Sequence, residues 1–178
     1  LIMACPDLQD RTVTIHGVSK GYAMTGWRIG IAAAHSDWVK AMKTYQSQTT
    51  SCANAIAQMA SIEAMATPKN QLHDMLDLYQ RRHDVLLSGL RALPGVDCAP
   101  SEGAFYAFPN CQALIEQKGF KNDIELADQL LAQAHVAVVP GSGFGCPNHI
   151  RLSFASSEDA LKKALDRLAH FITTTASA

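Results

Sequence analysis

A lysine, an arginine and a serine lie close together in one glycine-containing segment of the sequence. This segment, Ser19 to Gly30, reads SKGYAMTGWRIG. Lys20 follows a run that is typical of a β-strand, and Arg28 precedes a second such run, so both are predicted at one end of a sheet. Open α/β sheets usually bind ligands at such an end. The segment therefore predicts a ligand site, although a lysine beside glycines is more often simply a solvated surface residue.

The three side chains suit a Schiff base and a bound phosphate group. A lysine that is partly desolvated beside another cation favours the neutral amine, which is the nucleophile that forms Schiff bases. The planar guanidinium of Arg28 has five N–H donors that suit a phosphate dianion. Ser19 can add a hydroxyl donor to the same phosphate, and the neighbouring glycines let the backbone approach closely.

The elements around this segment are predicted from hydrophobic periodicity. Arg11 to His16 alternates and is rich in β-branched residues, which indicates a strand. Ile29 to Ala34 is apolar throughout, so we expect a second strand that is buried in a sheet covered on both faces. Helices are predicted from Trp38 to Ser47, from Asn54 to Ala66 and, as one long helix, from Pro68 to Leu93.

After Pro94 the pattern changes to short strands and helices. The sequence thus predicts an α/β first half and an α+β second half, divided inside the long helix into residues 1–80 and 81–178. Strands are predicted at 96–98, 104–108, 136–139 and 149–154, and helices at 111–117, at 124–134 and from Ser157 onward.

Composition excludes several classes of protein. The chain has 178 residues, of which 48% are hydrophobic and 17% charged, so it can bury a core. Its 15 Lys and Arg against 16 Asp and Glu give a net charge of −1, so we expect no nucleic-acid partner. No apolar run approaches the length of a membrane span, so no membrane partner is expected.

The five cysteines are scattered, odd in number and without a CxxC pair. We therefore expect idle thiols in a reducing compartment rather than a disulfide framework, and no metal site. Asp7, Asp10 and Arg11 interrupt the only early apolar stretch, so no signal peptide is expected. These features favour a cytoplasmic location.

The segment SKGYAMTGWRIG resembles the cofactor-lysine motif of class I/II aminotransferases, which are pyridoxal-phosphate (PLP) enzymes of fold type I. It is most similar to the bacterial aspartate aminotransferase branch. Three later segments resemble that family in the same order: PSEGAFYAFPN, VAVVPGSGFG and HIRLSFASSEDALKKAL. The resemblance covers nearly the whole chain. It implies the end of the PLP-binding large domain in residues 1–80 and the α+β small C-terminal domain in residues 81–178.

The resemblance also implies roles for single residues. Lys20 corresponds to the lysine that holds PLP as an internal aldimine and later moves the proton between substrate and cofactor. Arg28 and Ser19 correspond to the phosphate-binding residues, and Arg151 to the arginine that pairs with the substrate α-carboxylate. Phe105, with its neighbour Tyr106, would shape the pocket wall. From the residues alone, Arg151 could instead form a surface ion pair and Phe105 could belong to a strand core.

The chain also departs from the family pattern. His16-Gly17 stands where relatives commonly have Asn-Gly, and His16 could be a phosphate neighbour or a satisfied histidine at a strand end. Family members carry an N-terminal half that supplies a phosphate loop, a ring-stacking aromatic residue and the Asp that pairs with the pyridine nitrogen. None of these is found here, so we expect a C-terminal half that is incomplete as an enzyme by itself.

The leading hypothesis is an aminotransferase that moves an amino group between an amino acid, best aspartate, and a 2-oxo acid, best 2-oxoglutarate. The resemblance implies a homodimer, with the polar segment 47–51 as a possible interface loop and the glycine-rich segment 141–145 near the substrate. A PLP lyase or decarboxylating acyl transferase on the same fold is an alternative, although the MTGWRIG motif argues against it. A non-catalytic dimerisation module or fragment is the third hypothesis.

Overall fold

The computed structural model of the chain describes residues 6 to 174, except for the side chains of Pro6 and Lys69. Within these residues the chain divides into two compact units. The first unit runs to Gln71 and the second begins at Leu72. Each unit has its own cluster of buried apolar side chains.

The first unit consists of a two-stranded ribbon and two helices. The elements are β1 (Thr14–Gly17), β2 (Gly30–Ala33), α1 (Ser36–Thr49) and α2 (Ala55–Ala66), preceded by a 3-10 helix at Pro6–Arg11 and followed by another at Lys69–Leu72. Strands β1 and β2 pair antiparallel, with Thr14 opposite Ala33 and Gly17 opposite Gly30. The first strand begins later than predicted because the chain up to Arg11 forms that 3-10 helix.

The prediction that the second strand is buried on both faces is wrong for this part of the chain. Gly30, Ala32 and Ala33 are exposed, and Ile15 on β1 is 80% exposed. A ribbon of two strands has no neighbouring strand on either side and no helix layer on each face to cover it. The apolar sequence of β2 therefore indicates a strand that favours burial, but it does not indicate which residues would cover that strand.

The core of the first unit joins the lysine segment to α2. Val18, Met24 and Ile29 are buried together with Ala57 of α2. Asn54 begins the helix, since its side-chain oxygen accepts a hydrogen bond from the Ala57 N–H at 3.1 Å. The small residues on this face of α2 let the helix approach the segment closely, so packing fixes the backbone on both sides of Lys20.

The second unit is an α+β arrangement around a small antiparallel sheet. The sheet has the order β3-β5-β4, with Tyr106 opposite Ser153 and Val139 opposite Arg151. Its elements are α3 (His73–Arg91), β3 (Tyr106–Ala107), α4 (Gln112–Lys118), α5 (Asp123–Gln129), a π-helical turn (Leu130–Ala134), β4 (Val139–Pro140), a 3-10 turn (Gly141–Phe144), β5 (Ile150–Ser153) and α6 (Glu158–Thr173). The strand predicted at 96–98 is reduced to one bridge between Asp97 and Asn110.

Helix α3 belongs to the second unit as a whole. Its Leu86 and Leu90 are buried in the core of that unit, and Tyr79 packs against the same core. The predicted division between residues 80 and 81 therefore falls inside an element of the second unit. As a division of the whole protein into domains, it stays a prediction.

The turn between β4 and β5 leaves no room for a side chain at Gly141. A Cβ atom there would overlap the Cys146 carbonyl oxygen and lie 2.8 Å from the His149 carbonyl oxygen. Both obstacles are backbone atoms, which cannot move aside as a flexible side chain can. Gly143, two residues on, has nothing within 4 Å of the corresponding position.

We expect Gly141→Ala to lower the free energy of unfolding by about 1–3 kcal/mol or more, because the added methyl group is forced into a packed backbone. Gly143→Ala is the matched control and should stay within about 0.5 kcal/mol of the unchanged chain. Urea unfolding followed by circular dichroism measures both. Equal effects of the two substitutions would contradict this account of the turn.

The described cysteines differ in burial. Cys52 is exposed and Cys146 half-buried, whereas Cys98 and Cys111 are buried. Burial raises the pKa of the Cys111 thiol to about 12 and also raises the pKa of Cys98. Because the thiolate is the reactive form, both buried cysteines are expected to be unreactive at ordinary pH.

Iodoacetamide at pH 8.5 should therefore label Cys52 of the folded chain quickly and leave Cys111 unlabelled until denaturant is added. At that pH less than about one Cys111 thiol in a thousand is ionised. Peptide mass spectrometry over time measures the labelling of each peptide, and Cys52→Ser should remove the label from its own peptide and leave that of Cys111 unchanged. Rapid labelling of Cys111 without denaturant would contradict the claim that its thiol is buried and un-ionised.

Candidate functional site

Backbone hydrogen bonds fold the lysine segment into a tight turn. The Met24 N–H donates to the Ser19 carbonyl at 3.0 Å, and the Ala23 N–H donates to the Lys20 carbonyl at 3.2 Å. Val18 before the turn and Met24 at its end are both buried, whereas Lys20 between them is exposed. The sequence thus anchors the turn by its apolar ends and leaves the lysine at its surface.

Arg28 has an unusual backbone conformation. Its φ angle is +56° and its ψ angle 49°, in the left-handed region that residues with a Cβ atom rarely adopt. Its side-chain Nη1 donates a hydrogen bond to the Thr25 carbonyl at 3.1 Å. Strained backbone of this kind costs roughly 1–3 kcal/mol and tends to occur at functional sites. Arg28 is therefore held in a defined position at some cost in stability.

The antiparallel ribbon brings Lys20 and Arg28 to the same end. Gly17 and Gly30 form the last pair of the ribbon, and the segment with both side chains connects them. An open cavity of about 430 Å³ lies beside it and is lined by Gly26, Trp27, Arg28, Asn54 and Ala57. The N-terminus of α2 borders this cavity, and the positive end of a helix dipole favours an anion. Ser19 and Lys20 do not line the cavity itself.

In the second unit, the guanidinium of Arg151 makes contacts with two aromatic rings. Its Cζ atom lies 4.4 Å from the ring centroid of Tyr106 and 4.4 Å from that of Phe144. Tyr106 comes from β3, next to β5, and Phe144 from the 3-10 turn. We call Arg151 with these two rings the arginine clamp. Such cation–π contacts leave the N–H donors of the guanidinium for a polar partner. This geometry suits a bidentate, in-plane pair with a carboxylate.

Among the described residues, no carboxylate lies within ion-pair distance of Arg151. The alternative that Arg151 forms a surface ion pair therefore has no support in this part of the chain. Phe105 lies next to the clamp but packs mainly on the core, with its ring centroid 6.4 Å from that of Tyr79. A substrate role for Phe105 stays a prediction.

Sequence reasoning missed two residues of this site. The glycine-rich segment was placed near the substrate, but Phe144 within it was not identified as a neighbour of Arg151. Asp123, the first residue of α5, was not identified at all. It is completely buried, and its carboxylate accepts two hydrogen bonds from Ser142, in the 3-10 turn that also contains Phe144. The available signal for Phe144 was a single large aromatic residue inside a glycine-rich run that leads to the arginine strand.

Other predicted features have the following positions. His16 lies on β1 opposite Ile31 and is exposed. Within residues 6 to 174 no three His, Cys, Asp or Glu side chains are grouped as a metal site would need. No helix in that range is long and apolar enough to cross a membrane.

A second cavity, of about 680 Å³, lies in the second unit near the end of α6. Lys118, His135, Arg167 and Phe171 are among its lining residues. It contains none of the predicted site residues, and Lys118 and Arg167 already donate to backbone carbonyls there. We therefore assign one candidate site to each unit, the lysine segment in the first and the arginine clamp in the second, rather than to this cavity.

Comparison with known protein families gives one match over most of the chain. A family model described as aminotransferase class I and II matches residues 2–168. The aspartate aminotransferase of Rhizobium meliloti strain 1021 is 47% identical over 169 residues, which are 92% of this chain and 41% of that protein. The aspartate/prephenate aminotransferase of Nitrosomonas europaea is 41% identical over 178 residues, 97% of this chain and 45% of that protein. The chain thus spans less than half the length of these curated relatives.

Solved structures give the same result. The crystal structure of the aspartate aminotransferase from Rhizobium meliloti matches with a TM-score of 0.88 at 45% identity, over 94% of this chain and 43% of that one. An aromatic aminotransferase from Pyrococcus horikoshii OT3 matches with a TM-score of 0.83 at 32% identity, over 92% and 43%. The predicted fold class, an α/β portion of a fold type I transferase, is confirmed by these similarities.

Proposed function

This chain belongs to the class I and II aminotransferases, and we propose that it forms part of a PLP-dependent enzyme that moves an amino group between an amino acid and a 2-oxo acid. The placement of Lys20 and Arg28 at one end of the ribbon is the observation that carries this proposal. Aspartate and 2-oxoglutarate are the proposed substrates, since several relatives are named aspartate aminotransferases. The activity is proposed for the whole protein, because this chain spans less than half the length of those relatives.

The first unit has donors that fit the phosphate of PLP. Arg28 lines an open cavity that the N-terminus of α2 borders, and a guanidinium with a helix N-terminus is a favourable environment for a dianion. Ser19, next to Lys20 in the tight turn, would add a hydroxyl donor. In this role the left-handed conformation of Arg28 directs a fixed cation towards the anion, which offsets the backbone strain.

Lys20 Nζ would hold the cofactor covalently until the substrate amino group takes its place, and the released amine would then act as a base. When bound, PLP acts as an electron sink for the negative charge that develops on the substrate α-carbon. Lys20 Nζ would take the proton from that carbon and return it to the cofactor side. The turn anchored by Val18 and Met24 supports this role because it holds the lysine backbone while the side chain moves.

Arg151 would bind the substrate α-carboxylate. Tyr106 and Phe144 make cation–π contacts with its guanidinium, and a carboxylate would bind its N–H groups, where two parallel donors match the two oxygens. Such a pair fixes the orientation of the amino acid as well as its affinity.

The proposal includes a homodimer in the cytoplasm. Helix α2 exposes Ile56, Met59, Ile62 and Met65 at regular helical spacing, opposite the face that packs on the lysine segment. A further protein surface would cover these side chains in the whole protein. The free cysteines among the described residues are compatible with a reducing compartment.

Borohydride reduction of the whole protein after incubation with PLP tests the role of Lys20. We expect a pyridoxyl group on Lys20 Nζ, found by peptide mass spectrometry, and no such label in the Lys20→Arg variant. Lys43→Arg, which changes an exposed lysine on α1, is the matched control and should leave the label unchanged. Label spread over many lysines would contradict the proposal.

Arg151→Lys tests the carboxylate site. Lysine keeps the charge but loses the planar pair of donors, a loss of about 1.5–3 kcal/mol that corresponds to a roughly 10- to 150-fold rise in KM for both substrates. Steady-state transamination measures the effect. Arg167→Lys, on α6, removes a guanidinium that donates to the His135 carbonyl, so KM should stay near its original value. A similar rise in both variants would rule out a specific role for Arg151.

A further inference from the structure

Asp123 is a buried carboxylate that holds the backbone and side chain of one serine. Its side chain is completely buried at the start of α5. Oδ2 accepts a hydrogen bond from the Ser142 N–H at 2.7 Å, and Oδ1 accepts one from the Ser142 hydroxyl at 2.6 Å. The carboxylate thus uses both oxygens on a residue 19 positions away in the sequence.

Hydrogen bonds keep this carboxylate charged. Burial by itself opposes the charge and would raise the pKa. Hydrogen bonds from the Ser142 hydroxyl and N–H, together with smaller contributions from the backbone N–H groups of Asp123 itself and Asn148, outweigh it, so the pKa of Asp123 lies below its ordinary value. Hydrogen bonds to a charged acceptor are about twice as strong as those between neutral groups. Asp123 is therefore a firm anchor for the turn that contains Ser142.

The anchored turn carries Phe144. Ser142 is the second residue of the 3-10 turn Gly141–Phe144. The first residue is fixed as well, because the Gly141 N–H donates to the His149 carbonyl at 2.7 Å and its Cα approaches the backbone too closely for a side chain. With Gly141 and Ser142 held, the position of Phe144 two residues later is restricted. Phe144 itself is 50% exposed and could not be fixed by burial alone.

We propose that Asp123 is a positioning residue for the arginine clamp. By holding Ser142 it keeps the Phe144 ring in contact with the Arg151 guanidinium, and so it keeps that guanidinium in position to bind a carboxylate. Asp123 does not touch the substrate itself. This inference rests on the proposed function, because it assigns Asp123 to the carboxylate-binding step of that activity.

The inference predicts effects on substrate binding and not on the chemical step. Asp123→Asn keeps the size of the side chain but replaces one acceptor oxygen with an NH₂ group, which cannot accept the Ser142 hydrogen bond. In the whole protein, single-turnover kinetics should show an apparent Kd for both substrates that is about tenfold higher, a size typical of coupling between neighbouring residues. The rate of the chemical step should change by less than about twofold.

Asp128→Asn is the matched control. Asp128 lies on the same helix α5, but its side chain is exposed and is not hydrogen-bonded to the described residues of the turn. Its substitution should therefore leave both the Kd and the chemical rate unchanged. Ser142→Ala removes only the hydroxyl donor and leaves the N–H in place. It should raise the Kd by less than Asp123→Asn does, and it provides a second test if Asp123→Asn does not fold.

A double-mutant cycle separates positioning from general destabilisation. Phe144→Leu removes the ring through which Asp123 acts, so the further effect of Asp123→Asn on the Kd should disappear in that background. A purely structural role would give the same loss with or without the ring. An unchanged Kd in Asp123→Asn, or fully additive effects, would overturn the inference while the parent protein remains an active aminotransferase. Absence of transamination by the parent protein would instead contradict the proposed function.

Discussion

The contact of one guanidinium with two aromatic rings joins the small sheet and the turn of the second unit. A guanidinium attracts ring faces and donates hydrogen bonds through its N–H groups, so both contacts leave these groups for a polar partner. Tyr106 reaches Arg151 because β3 pairs directly with β5, and Phe144 reaches it because the chain turns sharply after β4. The small sheet and the turn therefore have one common consequence, which is that two rings from different elements meet at one cation.

The first unit combines a fixed backbone at Lys20 with an exposed side chain, which is what the proposed role of this lysine requires. Buried Val18 and Met24 on either side of Lys20 anchor the turn on α2. The left-handed backbone at Arg28 has no glycine to ease it, so packing and the hydrogen bond to Thr25 must maintain it. In both units, apolar burial close to the reactive residue supplies the stability that the unusual local geometry requires.

The sequence predicted what local patterns and motifs encode. Lys20, Arg28 and Arg151 were identified by residue type and motif, and most helices follow their periodicity and capping residues. The prediction that β2 is buried on both faces was wrong, because an apolar run shows that a strand needs to be covered but not whether this chain covers it. Phe144 and Asp123 were missed because their contacts depend on tertiary structure: Asp123 meets Ser142 across α5, the π-helical turn and β4, and no periodic pattern records such a contact.

The buried charge of Asp123 shows how stability and function are related in this fold. Among the described residues Asp123 has no cationic partner within ion-pair distance, so hydrogen bonds alone must compensate for its removal from water. An apolar residue at this position would avoid that desolvation, but it could not hold a serine N–H and hydroxyl in fixed directions. The advantage of a carboxylate here is therefore directional: it fixes the turn in one geometry. The fixed turn holds Phe144 in position, and Phe144 in turn contacts Arg151.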